Sequence, residues 1–334
     1  MSDLRWGFRV ASRPEDGWGH MLRSLSLARA IGGKASFYVD KNPMWRGRIE
    51  SLGFEYYVEP KWDAARMMRE AISSGGLDSC VFDGYEFDQE VAATAKNHFV
   101  AQIVDFSGEY KASFVISPGL GAESLRFGER SFVAGAAYAM LRPEFSAAHV
   151  KALRRPTRSH VRSLLVAFGG HDSGNATGLV LDALMDLSPR PRITVILAAD
   201  APHRVAIEAQ AGAIGAAVLL DVEDMASLYL DADLAIGAGG VSLLERLCCG
   251  LPSLIVTQSD NQIFNASAAE KLSVATVLGA LDKLDRASVI SGLRRICEDH
   301  ELRQMMRTRG LELVDGRGSQ RVAEILKTKA QMVQ

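Results

Sequence analysis

Gly237, Gly239 and Gly240 stand between a strand-length apolar run at 234–236 and a helix-like segment at 241–249. Chemistry is possible there because the first amides of a helix lack intrahelical acceptors. Backbone N–H groups at Gly239, Gly240, Val241 and Ser242 would suit a phosphate, helped by the positive end of the helix dipole. Glu245 lies one helical turn in, on a face that can reach a sugar hydroxyl. The same residues also build an ordinary tight connection with no ligand. A second candidate is Gly17-Trp18-Gly19-His20. Gly17 and Gly19 let the backbone approach a ligand, and His20 falls at a helix start. There it is a general base or a hydrogen-bonding cap. Tyr85, in Asp83-Gly84-Tyr85, is a hydrogen-bond donor to a sugar or an activated water, or a packed loop tyrosine. Gly169 and Gly170, in GGHD, offer backbone to a pyrophosphate. Asn261 and Gln262 carry amides suited to polar ligand groups. Asp231-Ala232-Asp233 spells a metal-binding pattern but precedes its strand, on the side opposite the phosphate turn, so no metal is expected there.

The elements that must position these residues alternate. Strands are expected at 6–12, 35–39, 55–58, 80–83, 101–105, 114–116 and 132–133. Helices are expected after His20 and at 43–52, 64–73 and 89–97. The stretch 135–156, with AYAMLRPEF and then the charged segment KALRRPTRS, reads as the connection between domains. The alternation resumes with strands at 164–168, 193–197, 217–220, 234–236, 253–256 and 275–278. Helices fall between them and at 287–297, 302–313 and 317–329. Strands alternating with helices imply parallel sheets covered on both faces. The expected class is α/β, with two Rossmann-like parallel-sheet domains facing a central cleft. The first spans 1–150 and carries His20. The second spans 151–316 and carries the phosphate turn. A helix at 317–334 is expected to pack back on the first domain.

Composition excludes several classes. The 334 residues are 48% hydrophobic and 23% charged, with a net charge of −2, so no basic footprint for nucleic acid exists. Four cysteines, two of them adjacent, lack metal-ligand spacing and fit a reducing, cytoplasmic setting. The start MSDLRWGFRV lacks the pattern of a signal peptide. No apolar run approaches the ~18 residues of a membrane span. No nucleophile elbow or phosphate-loop lysine motif is present. A monomer needing no cofactor is expected.

Six features run in order along nearly the whole chain, at 17–20, 83–85, 135–145, 169–172, 232–262 and 315–322. The most specific are GAAYAMLRPEF and ADLAIGAGG…SLLERLCCGLPSLIV…DNQ, and GWGHMLRSLSLA matches a glycine–x–glycine–histidine helix start. Together they resemble the UDP-sugar hydrolases of pseudaminic acid biosynthesis, which have the GT-B fold. The second half is also similar to the N-acetylglucosaminyl transferase of peptidoglycan synthesis. The resemblance implies that His20 is the catalytic base and that Tyr85 lies beside the sugar. It implies that Gly239, Gly240, Val241, Ser242 and Glu245 hold UDP. The implied substrate is UDP-2,4-diacetamido-2,4,6-trideoxy-β-L-altrose, hydrolysed at C1 with inversion and without metal. The chain departs from the family at Ala11 and Phe106, where aspartates are usual, and at GGHDS, where GGTDP is usual. A GT-B glycosyltransferase using a UDP-amino sugar and a non-catalytic nucleotide-sugar binder are the alternatives.

Overall fold

The computed structural model describes residues 4–12, 18–39, 44–57, 64–85, 91, 94, 95 and 98–333. Gly17 and six of the nine residues of the helix expected over 89–97 lie outside the described residues. The chain divides into two compact units, Met1–Arg142 with Arg317–Gln334, and Pro143–Gly316.

The first unit contains β1 (Arg5–Val10), α1 (Gly19–Ile31), β2 (Lys34–Val39), α2 (Met44–Ser51), β3 (Glu55–Tyr57), α3 (Ala64–Ser73), β4 (Ser79–Asp83), β5 (Phe99–Ile103), β6 (Phe114–Ser117) and β7 (Ser131–Ala134). The second contains α4 (Glu144–Arg154), β8 (Ser163–Ala167), α5 (Ala176–Leu184), β9 (Arg192–Leu197), α6 (Arg204–Ala213), β10 (Ala217–Leu220), α7 (Met225–Asp231), β11 (Leu234–Ala238), α8 (Val241–Cys248), β12 (Ser253–Thr257), α9 (Asp260–Lys271), β13 (Thr276–Ala280), α10 (Arg286–Glu298) and α11 (His300–Leu313). The last helix, α12 (Gly318–Gln331), belongs to the first unit.

In the first unit the strand order is β3-β2-β1-β4-β5-β6-β7, and every pairing is parallel. Side chains alternate between the two faces of a strand. Trp6, Phe8 and Val10 of β1 therefore share one face with Phe37 and Val39 of β2, under Met21, Leu25 and Ala28 of α1 and Val322 and Leu326 of α12. Tyr38, Cys80 and Phe82 point to the other face and meet Met68 and Ile72 of α3. Both faces are covered, which is why the strands read as continuous apolar runs. Gly7 leaves room on the second face for Leu77, whose Cδ1 would sit 2.6 Å from a Cβ there and would have to move aside.

The second unit repeats the scheme as β10-β9-β8-β11-β12-β13, again all parallel. In both units the strand order reverses beside the first strand, between β1 and β4 and between β8 and β11. Ligands of open α/β sheets bind at the carboxyl ends of strands at such points. Helix α4 lies inside the stretch 135–156 expected to be a connection. Its buried Phe145, Ala148, His149 and Ala152 fall at i, i+3, i+4 and i+7, one helical face turned to the core. Among the described residues, no helix is long and apolar enough to cross a membrane.

Candidate functional site

In the first unit the switch point between β1 and β4 gathers charge. α1 opens at Gly19 and carries His20, Arg23 and Ser24 on one face, at i, i+3 and i+4. That face meets Asp83, the last residue of β4, whose backbone oxygen accepts from Ala11 N just past β1. Asp83 is fully buried. Its Oδ1 lies 2.6 Å from His20 Nδ1 and accepts from Arg23 Nη2 at 2.6 Å. Its Oδ2 accepts from Arg23 Nε at 2.8 Å and from Ser24 Oγ at 2.9 Å. Arg23 also reaches Asp105, two residues beyond β5, through Nη1 at 2.9 Å and Nη2 at 3.2 Å. One buried guanidinium thus clamps two carboxylates, each in bidentate geometry.

Burial alone would raise the pKa of Asp83, but Arg23 and His20 more than offset it and hold this carboxyl below the ordinary carboxylate range. Asp105 follows the same logic: burial opposes ionisation, and Arg23 wins. Both are carboxylates at neutral pH. The histidine tautomer follows from the donors. Arg23 Nη2 lies 3.0 Å from His20 Nδ1 but can only donate. The carboxylate contact to the same atom is shorter, and a proton on Nδ1 satisfies it. That tautomer leaves the lone pair on Nε2, which has no partner among the described residues. A histidine oriented by a buried carboxylate is the arrangement of a general base.

Tyr85 lies edge-on to His20, with ring centroids 5.1 Å apart, and its hydroxyl donates to Asp105 Oδ2 at 2.8 Å. Its proton is therefore committed, and toward a ligand the oxygen acts as an acceptor. This differs from the donor role expected from the sequence, because Asp105 stands within reach. Phe106 follows, 5.6 Å from the Tyr85 ring, and both rings are exposed. Sequence reasoning missed Arg23 and Ser24 as site residues, and it named Asp83 only as part of the Tyr85 motif, with no role for it or for Asp105. The signal for the first two was present in their helical spacing from His20.

In the second unit, three loops at the carboxyl ends of β8, β11 and β12 are tied together. Gln262 Oε1 accepts from Gly239 N at 3.2 Å and from Gln258 N at 3.1 Å. Gln258 Nε2 donates to Asp172 Oδ1 at 2.9 Å. Asp172 also accepts from Ala176 N and Thr177 N at the head of α5, and burial raises its pKa against those hydrogen bonds. Gly169 takes φ +91° in this turn, and Gly170 O accepts from Ala198 N. Gly240 precedes α8, and no side chain caps that helix. Leu243 N donates to Gly240 O, so the amides of Gly240, Val241 and Ser242 are the ones left for a ligand. Gln262, with its oxygen used twice, offers only its NH₂. The rim of this turn presents donors and suits an anion.

Glu245 is buried, and its Oε2 accepts from Tyr229 OH at 3.3 Å. Asn261 Oδ1 accepts from Ser259 Oγ at 2.5 Å, in the first turn of α9. His171 faces Asp200 at 3.8 Å, away from this rim's hydrogen bonds. Asp233 accepts from Ser163 N and Arg162 N and pairs with Arg158 at 3.0 Å, at the amino end of β11.

No protein-family model matches the chain. It is 27% identical over 327 residues to the spore coat polysaccharide biosynthesis protein SpsG of Bacillus subtilis, covering 94% of this chain and 95% of that one. Among solved structures it is similar to MurG of Acinetobacter baumannii, with a TM-score of 0.72 at 14% identity, over 97% of this chain and 99% of that one. The calicheamicin glycosyltransferase CalG4 gives 0.68 at 16% identity over 100% of both chains. The UDP-GlcNAc 2-epimerase of Neisseria meningitidis, bound to UDP-GlcNAc, gives 0.65 at 12% identity over 97% of this chain and 100% of that one. With the two parallel sheets, these similarities define the fold as GT-B.

Proposed function

We propose that this protein is a nucleotide-sugar hydrolase that releases UDP from a UDP-linked 2,4-diacetamido-2,4,6-trideoxy hexose. The observation that carries the reading is the 2.6 Å contact between His20 Nδ1 and the buried Asp83, which leaves Nε2 as the proton acceptor. Water attacks C1 of the sugar, and His20 Nε2 takes its proton. The C1–O bond breaks as the new C–O bond forms, and its electron pair leaves with UDP. A single displacement inverts C1. The donor rim at Gly240–Ser242 holds the diphosphate and stabilises the charge that develops on it. No step calls for a metal. The similarity to a polysaccharide biosynthesis protein and to an epimerase carrying UDP-GlcNAc supports a sugar nucleotide as substrate.

The test is a mass-spectrometric screen of UDP-sugars with no acceptor present. Release of UDP together with free sugar is expected. Turnover that appears only when an acceptor is added would make the protein a glycosyltransferase, and UDP-sugar binding with no turnover would make it a binder.

Gly240→Asp tests the nucleotide half alone. A Cβ at Gly240 would meet nothing nearer than Gln262 Nε2 at 3.9 Å, so the substitution fits. Aspartate is also a better helix cap than glycine, so the fold should hold. Its carboxylate would occupy the amides that face the phosphate. UDP affinity is expected to fall at least about tenfold, ~1.4 kcal/mol. Unchanged UDP binding by calorimetry would remove this turn from the site.

A further inference from the structure

Behind the donor rim lies a buried cation that the reaction described above does not use. Arg246, in α8, is completely buried. Its Nη2 donates to Ala238 O at 2.7 Å, the carbonyl that ends β11. Its Nη1 donates to Ser242 Oγ at 3.2 Å, in the first turn of the helix. Its Nε donates to Ser253 Oγ at 3.1 Å, at the start of β12. Room for it is made by Gly237, where a Cβ would sit 3.0 Å from Nη1 and 2.3 Å from Ala167 O.

Arg246 makes no ion pair with the described residues. Burial pulls its pKa down, and the neighbouring Tyr229 and Glu245 offset this only in part. An arginine stays protonated in any protein environment. The fold therefore keeps a positive charge out of water at the expense of stability. The hydrogen bond to Ser242 adds direction. Because Ser242 Oγ accepts from Arg246, its own hydrogen is free to donate, and no described residue takes it. That hydrogen belongs to the same turn as the free amides of Gly240 and Val241.

We infer that Arg246 is the built-in countercharge of the diphosphate site, acting through Ser242 and the turn without touching the ligand. It is a positioning residue. This rests on the reading of the second unit as the UDP site. The charge is desolvated, so its effect should resist salt, unlike that of a surface lysine. A structural role would weaken every ligand alike, whereas a countercharge acts only on the charged part of a ligand.

The experiment compares UDP with uridine, which shares the base and ribose but lacks phosphate, by calorimetry at low and high salt. Arg246→Met should lower UDP affinity at least tenfold and leave uridine affinity within twofold of wild type. Arg246→Lys, which keeps the charge, should recover part of the UDP preference. Ser242→Ala, at a half-buried position, should lower UDP affinity several-fold in a folded protein and spare uridine. It supplies the answer if Arg246→Met does not fold. A UDP-to-uridine ratio unchanged in Ser242→Ala or Arg246→Met would overturn the inference while leaving the UDP site in place. A parallel loss of both ligands would make Arg246 structural only. A wild-type protein that binds no UDP would overturn the underlying reading as well.

Discussion

Asp83→Ala is expected to destabilise the first unit by about 3 kcal/mol, the low end of what breaking a buried ion pair costs. The low end applies because Asp105 still holds Arg23. Ser24 Oγ and His20 Nδ1 also lose their acceptor. Asp83→Asn keeps the volume and removes only the charge, so its loss should depend on pH. The folded pKa of Asp83 is held below the ordinary 3.8 by Arg23 and His20, against burial. A group with a depressed folded pKa stabilises fully above its unfolded pKa and loses that contribution as pH falls through the folded value. The difference between wild type and Asp83→Asn should therefore be flat between about pH 5 and 7 and shrink below about pH 4. Hydrogen exchange of β1 and β4 amides reads this unit separately from the other. A difference that stayed constant into strong acid would show that the ionised carboxylate is not the source.

The fold was legible in the sequence because both sheets are buried on two faces. Runs such as 80–82 and 254–256 are apolar without alternation, and each lies inside a strand of the structure. Helix α4 is masked in the sequence by the charge of Lys151, Arg154, Arg155 and Arg158. The buried face at Phe145, Ala148, His149 and Ala152 was visible at helical spacing all the same. The candidate site is legible only where a residue type is rare or a turn is glycine-rich, as at His20 and Gly237–Gly240. Arg23 was hidden for a different reason. An arginine in an apolar helix reads as a solvated side chain, and its burial depends on Asp83 and Asp105, 60 and 82 residues away. Arg246 also reads as a solvated arginine, although its partners Ala238, Ser242 and Ser253 are close in sequence. The partners of Arg23 cannot be deduced before the strand order is known, since β4 and β5 reach α1 only after the chain crosses back beside β1.

His20→Asn is expected to lower kcat by about 10²–10⁴-fold, the usual loss for a positioned general base. Asparagine is the informative choice. Its side-chain NH₂ can donate to Asp83 where Nδ1 does now, so the cluster with Arg23 and Ser24 keeps its hydrogen bonds. What disappears is Nε2, the atom proposed to take the proton from water. KM and UDP affinity should change little, because the proposed diphosphate site lies in the second unit. Asp83→Asn should also lower kcat while Nε2 remains present, because the proton on Nδ1 loses its charged acceptor and the alternative tautomer becomes competitive. Rates are compared at saturating UDP-sugar, with folding checked by thermal melts. A His20→Asn variant that keeps the wild-type kcat would make His20 an orienting partner of Asp83 only, and the base would have to be sought elsewhere.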